Sequence, residues 1–378
     1  MFNATFRRDG SSLFGPDVRY ANFPSLGVGW RISDEAFLKS VSWLNELKLR
    51  AGWGQMGSIS NVPAFNQYST YSAAPGSNYY DVNGVNIGST QGYGASSQGN
   101  LLTKWETTET TNIGLDASIL QGKWSFTVDV YTKNTRDLLV PSLRNGLELL
   151  VTKPLVNLGT MRNTGIDLQL TNQGRITSDL SYDATLTFTH YKNQLTKLND
   201  ENTAQLVAAS RITNALITTQ GQAVSSFYGY QIDGFYNNQA EVDAGPKING
   251  ASGVVGSWKY KDMNGDGNIT TADRTVLGSP HPNFQMGLNL GFRWKGFDLS
   301  SFVFWNQGNQ LYNYTKYFTY MGVLGGSVAS GSYMTPGHPK LPRPPKRPNW
   351  GRSHQWLYSL CDGQFEFILC RERVVSAG

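Results

Sequence analysis

The chain has 378 residues and a mass of 41.8 kDa, which fits two or three ordinary domains or one large all-β unit. Only 16% of the residues are charged, whereas a typical soluble domain has about 25%. Glycine accounts for 41 residues, and the chain contains 10 Trp, 19 Tyr and 18 Phe. This composition excludes helix bundles and coiled coils. The lack of an apolar run of about 18 residues excludes a transmembrane helix.

The net charge of +5 is concentrated near the C-terminus of the chain. Residues 336–378 carry a net charge of +4, and the residues before them are almost neutral. Binding to nucleic acid needs a clustered basic face. The one basic cluster, at residues 340–352, is rich in proline and carries no nucleic-acid-binding motif. We therefore expect no nucleic-acid partner.

Apolar and polar residues alternate along many segments, as in Trp124-Ser125-Phe126-Thr127-Val128. This period of two predicts strands with one apolar face and one polar face. Most of the segments are longer than typical globular strands, which have about five or six residues. Nine strands are predicted, at residues 1–8, 22–32, 45–56, 109–120, 124–137, 160–172, 179–193, 284–294 and 297–308.

The connections between these strands alternate between short and long. Tight hairpins are predicted at 121–123, 172–175 and 295–296, because each contains glycine where a positive φ is needed. The long connections are 57–108, 138–159 and 194–283, and such lengths are uncommon in compact domains. Short turns at one end and long loops at the other are typical of outer-membrane barrels, whose long loops are extracellular.

Aromatic residues lie near the ends of the predicted strands. In a membrane barrel they would form the two interfacial girdles, and in a soluble sandwich they would pack in the core. Taken with the asymmetry of the loops, the set favours girdles. Its members are Trp43, Trp53, Trp105, Trp124, Tyr131, Tyr191, Trp294 and Trp305.

Ordered motifs along residues 1–343 carry a family resemblance. They are FRRDGSS at 6–12, FPSLGVGWRIS at 23–33, LNELKLRA at 44–51, WETTETTNIGLD at 105–116, NLG and MRNTGID at 157–159 and 161–167, SFYGY and DGFY at 226–230 and 233–236, and KGFDLS at 295–300. As a set they resemble the C-terminal barrel half of the SusC/RagA-type TonB-dependent outer-membrane transporters of Bacteroidetes.

This resemblance implies an all-β fold of antiparallel up-and-down strands, part of an outer-membrane β-barrel of about 22 strands with long extracellular loops. It further implies import of glycans or oligopeptides, with a SusD-like surface lipoprotein and the TonB complex as partners and outer-membrane lipid around the wall. The sequence shows no signal peptide, plug or TonB-contacting segment. We therefore expect a fragment that does not form a closed pore or transport alone, because open strand edges are costly in hydrocarbon.

Residues 344–378 differ in composition from the rest of the chain. Residues 336–378 contain six of the 15 prolines and both cysteines, Cys361 and Cys370. We therefore divide the chain into a barrel portion, 1–343, and an aberrant basic, proline-rich tail, 344–378, that is frameshifted or disordered. A genuine proline-rich linker is the alternative. In either case residues 365–369 form an apolar segment that can pair with an exposed strand edge.

Residues 262–273 follow the spacing of a calcium-binding loop, with oxygen ligands at positions 1, 3, 5, 7, 9 and 12 and glycine at position 6. A metal-free turn is the alternative, because position 12 is Asp rather than Glu and no helix precedes the loop. Calcium would be the structural cofactor. The predicted ligands are Asp262, Asn264, Asp266, Asn268 through its carbonyl, Thr270 and Asp273.

The sequence offers no catalytic constellation. None of the four histidines has a second His, Cys or Asp at metal-ligand spacing, and no nucleophile or phosphate-binding motif precedes a plausible helix. We predict that the chain is not an enzyme. The alternative function is a soluble or surface calcium-dependent carbohydrate-binding β protein. Loop tyrosines can stack on sugar rings, but packing between loops is the favoured interpretation of Tyr79, Tyr80, Tyr93, Tyr228 and Tyr236.

Overall fold

The computed structural model describes residues 1–73, 79–80, 90–91, 93–141, 155–198, 205–209 and 212–312, with 359–360 and 366–368 near the C-terminus. The chain divides into two compact units. The first unit consists of Met1–Thr203 and Leu288–Ser301, and the second consists of Ala204–Gly287 and Phe302–Gly378. No helix among the described residues is long and apolar enough to cross a membrane.

Strands make up most of the described chain. They are β1 (Phe2–Gly10), β2 (Tyr20–Arg31), β3 (Leu44–Ser58), β4 (Thr70–Ser72), β5 (Tyr79–Tyr80), β6 (Thr90–Gln91), β7 (Gly94–Ser97), β8 (Glu106–Ile119), β9 (Trp124–Pro141), β10 (Leu155–Arg175), β11 (Leu180–Lys197), β12 (Gln205–Ala209), β13 (Ile212–Thr218), β14 (Ser226–Tyr230), β15 (Ile232–Phe235), β16 (Lys247–Ile248), β17 (Trp258–Tyr260), β18 (Asn268–Ile269), β19 (Arg274–Gly278), β20 (Phe284–Trp294), β21 (Phe297–Gln307), β22 (Gln310–Leu311), β23 (Ser359–Leu360) and β24 (Glu366–Ile368). The described helices are α1 (Gln239–Ala244) and three 3-10 turns at Pro16–Val18, Ile32–Asp34 and Thr271–Asp273.

Ten strands form one sheet in the order β1-β2-β3-β8-β9-β10-β11-β20-β21-β24. Neighbouring strands from β1 to β11 pair antiparallel. Each of the nine strands predicted from the sequence is a strand of this sheet, which confirms the all-β, up-and-down architecture. Because β1 and β24 each have a single neighbour, the sheet is open within the described residues.

The strand register gives this sheet one apolar face and one polar face. Successive side chains of a strand point to opposite faces, and directly paired residues share a face. One row is apolar and consists of Trp30, Leu49, Leu115, Val128, Leu168 and Phe188. The adjacent row is polar and consists of Lys48, Asp116, Thr127, Gln169 and Thr187. On the apolar face, the Ile113 and Val130 side chains are 58% and 55% exposed.

Two of the three predicted hairpins are confirmed. Gly122 has φ +79°, and Lys295 and Gly296 have φ +46° and +87°, as tight turns require. The hairpin predicted at 172–175 was wrong, because these residues extend β10 and pair with Ser181–Ala184. Tyr182 explains the difference: its hydroxyl donates a 2.7 Å hydrogen bond to Asn172 Oδ1, and its ring covers Gly174. The chain turns at 176–179 instead.

A small apolar core forms at the long-loop end of the first unit. Phe14, Phe23, Val62 and Trp105 are each at most 8% exposed. The Trp105 ring centroid lies 5.1 Å from that of Phe14 and 5.7 Å from that of Phe23. The girdle interpretation of Trp105 is therefore wrong, because its indole packs inside the loop base rather than at the sheet surface.

The girdle interpretation is also wrong for Tyr131 and Tyr191. Both tyrosines pair with Gly165, whose neighbour Ile166 lies on the apolar face. Alternation along β10 therefore places Tyr131 and Tyr191 on the polar face. By contrast, Trp43 and Trp294 are 56% and 53% exposed beside the tight turns, where the girdle interpretation places them.

The second unit carries a four-stranded sheet in the order β12-β13-β14-β19 and two small strand pairs, β15 with β17 and β16 with β18. Helix α1 begins after Asn238, whose side chain accepts a hydrogen bond from the Glu241 N–H, as an N-cap does. The buried apolar residues of the second unit include Val242 of α1, together with Tyr236 and Ile269, each at most 4% exposed.

Most of the tail at 344–378 lies outside the described residues, so its predicted frameshift or disorder stays a prediction. Two short strands within it are described. Strand β24 pairs antiparallel with Phe302–Phe304 of β21, and β23 pairs with β22. The β24 pairing agrees with the expectation that residues 365–369 can occupy an exposed edge.

Candidate functional site

A charged cluster crosses the middle of the polar face. Arg50 of β3 donates to Asp116 of β8 through Nε at 2.9 Å and Nη2 at 3.1 Å. The same guanidinium donates to Asp129 of β9 through Nη1 at 2.8 Å and Nη2 at 2.7 Å. Two bidentate ion pairs thus join three strands, and such paired geometry is the strongest form of arginine–carboxylate contact. The side chains of Arg50, Asp116 and Asp129 are 28%, 29% and 23% exposed.

Gly114 makes room for this cluster. It pairs with both Arg50 and Asp129 in the ladder. A Cβ atom at Gly114 would lie 2.6 Å from Arg50 Cζ and 2.6 Å from Asp129 Oδ1. The guanidinium can therefore lie across β8 only because residue 114 has no side chain. Alternation along β8 and β9 puts Asp116 and Asp129 at polar positions, but it does not connect them to Arg50.

We expect Gly114→Ala to destabilise the first unit by about 1–3 kcal/mol, because the added methyl overpacks the ion cluster. Gly27→Ala is the matched control, since Gly27 lies in β2 of the same sheet and its added Cβ would have no atom within 4 Å. Urea unfolding of the two variants measures the difference. Equal unfolding midpoints for the two variants would show that the guanidinium does not need the glycine.

A second polar network joins the bases of two long connections, β3 to β8 and β9 to β10. The Asn66 amide donates to Thr103 Oγ1 at 2.7 Å, and that hydroxyl donates to the Leu155 carbonyl at 3.1 Å. The Leu155 N–H donates back to Asn66 Oδ1 at 3.4 Å, which closes a ring of three residues. Asn66 and Thr103 are 8% and 1% exposed, so two of the three residues of the ring are buried.

The Asn157 side chain makes a second set of hydrogen bonds beside this ring. Its side-chain oxygen accepts from the Lys104 N–H at 2.9 Å, and its amide donates to the Lys104 carbonyl at 2.8 Å. The same amide donates to the Asp137 carbonyl at 2.8 Å, and Lys104 Nζ pairs with Asp137 Oδ1 at 3.1 Å. We call Asn66, Thr103, Lys104, Leu155 and Asn157 the loop joint.

Motif residues flanking the loop joint have structural roles. Glu106 is 6% exposed and accepts from the Leu139 N–H at 2.8 Å and from the Asn61 amide at 3.4 Å. Trp105 Nε1 donates to the Arg19 carbonyl at 3.1 Å. The sequence had marked the Trp105-Glu106 and Asn157-Leu158-Gly159 motifs without assigning contacts to them. Asn66 and Thr103 were missed, since nothing in a polar loop distinguishes a buried amide from an exposed one.

A groove of about 560 Å³ lies in the first unit beside the loop joint. Its lining is mostly polar and carries charge of both signs. Arg136 is paired with Glu109 at 3.1 Å, and Asp137 with Lys104. The lining residues are Ala21, Asn22, Phe23, Gln55, Thr107, Arg136, Asp137, Asn157, Leu158, Gly159, Thr160 and Lys197.

The predicted calcium loop lies in the second unit, and Asp262 organises its first half. One carboxylate oxygen accepts the Gly265 N–H at 2.7 Å, and the other accepts the Gly267 N–H at 2.7 Å. Both glycines have positive φ, +76° and +77°, a conformation that glycine adopts without strain. Gly267 is the sixth residue of the loop, where the calcium-loop pattern requires glycine.

The middle of the loop is held by its own side chains. Asn264 Oδ1 accepts the Asp266 N–H at 3.0 Å, and Asp266 Oδ1 accepts the Asn268 N–H at 2.7 Å. The Asn264 amide donates to Asp266 Oδ2 at 2.9 Å. Asn264 and Asp266, two predicted ligands, are thus in direct contact.

Asp273 closes the loop from its other end and is fully buried. Its carboxylate accepts the N–H groups of Thr270 at 2.8 Å and Met263 at 2.9 Å. The N–H groups of Thr270, Met263 and Asn264 hold the pKa of Asp273 below its ordinary value. Within the described part of the chain, no three His, Cys, Asp or Glu side chains are grouped as a metal site. The ligand assignment of the loop stays a prediction.

The loop tyrosines have different environments. Tyr236 is 2% exposed, which confirms packing for this residue. The Arg274 guanidinium lies 4.4 Å from the Tyr228 ring centroid, so Tyr228 also packs within the protein. Tyr93 is 72% exposed, and packing was the wrong interpretation for it. The side chains of Tyr79 and Tyr80 lie outside those described.

Comparison with known proteins identifies the family. Residues 1–335 match the family model described as TonB dependent receptor-like, beta-barrel. The chain is 32% identical over 322 residues to TonB-dependent receptor P3 of Formosa agariphila, covering 83% of this chain and 31% of that protein. It is 31% identical over 319 residues to TonB-dependent receptor SusC of Bacteroides thetaiotaomicron, covering 79% of this chain and 29% of that protein.

A solved structure shows the same fold. The RagAB peptide transporter matches with a TM-score of 0.68 and 24% identity, over 84% of this chain and 33% of that chain. The chain therefore spans about a third of the length of the proteins that it matches. The family is one of receptors rather than enzymes. The chain belongs to the TonB-dependent receptor family, and its sheet is part of an outer-membrane β-barrel.

Proposed function

We propose that the chain is a section of the barrel wall of a TonB-dependent importer of glycans or oligopeptides. The observation that carries the proposal is the sheet with two unlike faces. Its apolar face leaves Ile113 and Val130 more than half exposed, as lipid contact would require. Its polar face carries the Arg50 cluster, as a hydrophilic barrel interior would. The names of the relatives SusC and RagAB peptide transporter agree with an import function.

The proposal includes partners that the whole importer would use. These are a SusD-like surface lipoprotein, the TonB complex, and the lipid of the outer membrane. The chain alone would not transport, because its sheet is open within the described residues and unpaired strand edges in hydrocarbon cost several kcal/mol per group. We propose no catalytic step and no nucleic-acid partner for it.

Uptake by cells tests the proposal. A strain lacking the complete receptor gene and its parent would be given fluorescent oligosaccharide and oligopeptide mixtures separately. We expect the deletion strain to lose uptake of one class and to regain it on complementation. Unchanged uptake of both classes, with the receptor verified in the outer membrane of the parent, would contradict an import function in these two classes.

We also propose that the loop at 262–273 binds calcium as a structural ion. The buried Asp273 carboxylate accepts the N–H of Met263, the residue after Asp262, so this bond holds the two acidic ends of the loop together. Calcium is a hard ion that takes carboxylate, amide and carbonyl oxygens. Asp262, Asn264, Asp266, Asn268, Thr270 and Asp273 are the proposed ligands, and they would fix the turn between β17 and β19.

We expect the full chain in detergent to bind one calcium ion with a dissociation constant of about 10⁻⁴–10⁻³ M, the range of extracellular calcium modules. Asp262→Ala should abolish binding in titration calorimetry. Asp243→Ala is the matched control, because Asp243 is an acidic residue of helix α1 outside the loop. A calorimetric signal that is absent in the unmodified chain, or equal in all three proteins, would favour the metal-free turn.

The soluble carbohydrate-binding alternative gains no support from the comparisons, which identify an outer-membrane barrel family. Calcium binding alone would not support the carbohydrate-binding alternative. The loop lies between strands of a chain that matches the receptor family over residues 1–335.

A further inference from the structure

We propose that the loop joint makes the bases of the β3–β8 and β9–β10 connections open and close as one cooperative unit. Without it, the described ends of the two connections would be joined by the β8–β9 ladder, the Glu106–Leu139 bond and the apolar core. The joint places residues of the β3–β8 connection and the first residues of β10 in one hydrogen-bonded network, in which Asn66 and Thr103 are buried. A partner or ligand that displaces one base would therefore displace the other.

The first reason is that the joint is closed rather than a chain of single contacts. Asn66 and Thr103 come from the β3–β8 connection, and Leu155 begins β10. Each of the three residues donates one hydrogen bond and accepts another within the ring. Breaking any one of the three bonds therefore weakens the other two. The Asn100 amide donates a further bond to the same Leu155 carbonyl at 2.9 Å.

The second reason is burial. Asn66 and Thr103 are at least nine-tenths buried. If the two bases separated while the core stayed closed, Asn66 Oδ1 and the Thr103 hydroxyl would lose their Leu155 partners without gaining water. A buried polar group left unpaired is costly, so partial opening is disfavoured relative to full opening of both bases.

The third reason is that further hydrogen bonds and packing contacts extend from Thr103 along residues 104–106. Next to Thr103, Lys104 exchanges two backbone bonds with the Asn157 side chain. Next to Lys104, Trp105 enters the apolar core and Glu106 holds the Leu139 N–H. Four consecutive residues, 103 to 106, therefore carry contacts to β9, β10 or the core, and a shift of this segment breaks them together.

Hydrogen exchange of the full chain in detergent tests the coupling through amides that the substitution does not touch. Asn66→Ala removes the acceptor of the Leu155 N–H. The acceptors of the Lys104 and Leu139 N–H groups, which are Asn157 Oδ1 and Glu106 Oε1, remain. We expect exchange at Lys104 and Leu139 to accelerate by about tenfold or more along with Leu155, as in a cooperative opening unit.

Asn45→Ala is the matched control. Asn45 Oδ1 accepts the Gly122 N–H at 3.3 Å at the tight-turn end of the same sheet. Its loss should accelerate exchange at Gly122 alone. If Asn66→Ala accelerates only Leu155, as Asn45→Ala accelerates only Gly122, the two bases open independently and the inference is wrong.

If Asn66→Ala unfolds the first unit, fast exchange will appear throughout β1 and β2. Thr103→Val then becomes the variant that tests the coupling. Valine keeps nearly the same shape and removes only the hydroxyl. Joint acceleration at Leu155, Lys104 and Leu139, with β1 and β2 protected, supports the coupling. Acceleration confined to residues within the ring contradicts it. In the Asn66→Ala/Asn157→Ala double variant, cooperative opening predicts a combined effect smaller than the product of the single effects.

Discussion

Arg50→Ala is expected to destabilise the sheet by about 2–4 kcal/mol, between the values typical of exposed and buried ion pairs. The substitution removes the guanidinium that bridges Asp116 and Asp129, and it leaves two partly buried carboxylates on adjacent strands. The two carboxylates are diagonal neighbours, since Asp116 pairs with Thr127 and Asp129 with Gly114, and like charges this close repel. The unfolding midpoint of the receptor in urea, measured in lipid vesicles, reports the loss.

Arg293→Ala is the matched control for Arg50. Arg293 Nη2 pairs with Asp183 Oδ1 at 3.1 Å on the same sheet, but its side chain is 67% exposed and makes a single short contact. Its loss should cost less than about 1 kcal/mol. Adding Asp116→Asn and Asp129→Asn to Arg50→Ala should recover part of the stability, because the two unpaired carboxylate charges are removed. An Arg50→Ala effect no larger than that of Arg293→Ala would show that the cluster contributes little.

Trp105→Ala is expected to cost about 3–5 kcal/mol, the range for deleting a buried aromatic side chain. The indole is 8% exposed and fills the space between Phe14 and Phe23. Its loss leaves a cavity and removes the bond to the Arg19 carbonyl. Thermal unfolding of the receptor in detergent measures the change.

Two further variants separate packing from hydrogen bonding and from general loss of an indole. Trp105→Phe keeps an aromatic ring and should cost less than the alanine variant, with about 1 kcal/mol of the loss due to the missing hydrogen bond. Trp43→Ala removes an indole that is 56% exposed and should have little effect in detergent. If Trp105→Ala and Trp43→Ala were equally mild, the girdle interpretation of Trp105 would be restored.

The sheet could be predicted because short segments of the sequence determine its strands. Period-two alternation in segments such as 124–130 identifies both the strand and its faces, and antiparallel neighbours joined by tight turns need no long-range information. The hairpin at 172–175 could not be predicted in the same way. Asn172 and Gly174 favour turns, but they pair with β11 instead. The Tyr182 hydroxyl bonds to Asn172 and the Tyr182 ring covers Gly174, so both residues stay in the ladder.

The ion cluster was only partly predictable. Arg50 lies 66 residues from Asp116 and 79 from Asp129 along the chain. Alternation places all three on a polar face, but their meeting depends on the register of three strands. Register follows from pairing over long separations, and the glycine that permits the contact, Gly114, is one of many in the sequence.

The loop joint was not predictable from the sequence. Asn66 and Thr103 stand among many Asn, Ser, Thr and Gly residues of one connection, and side-chain hydrogen bonds in loops follow no sequence period. The calcium loop is the opposite case, because all its proposed ligands lie within 12 consecutive residues. Its spacing alone suggested the ligands, and in the structure the Asp273 carboxylate accepts the N–H of Met263, which follows Asp262.

The position of the two sheet faces relative to lipid is the most direct test of the barrel wall. Single cysteines along β8 of the receptor in outer-membrane vesicles, with Cys361 and Cys370 replaced by serine, would carry a fluorescent label. Labels at Ile113 and Leu115 should be quenched by nitroxide lipids, and labels at Asn112 and Ser118 by aqueous iodide. Quenching of all four positions by iodide, with none by the nitroxide lipids, would contradict a membrane-facing apolar surface and the account built on it.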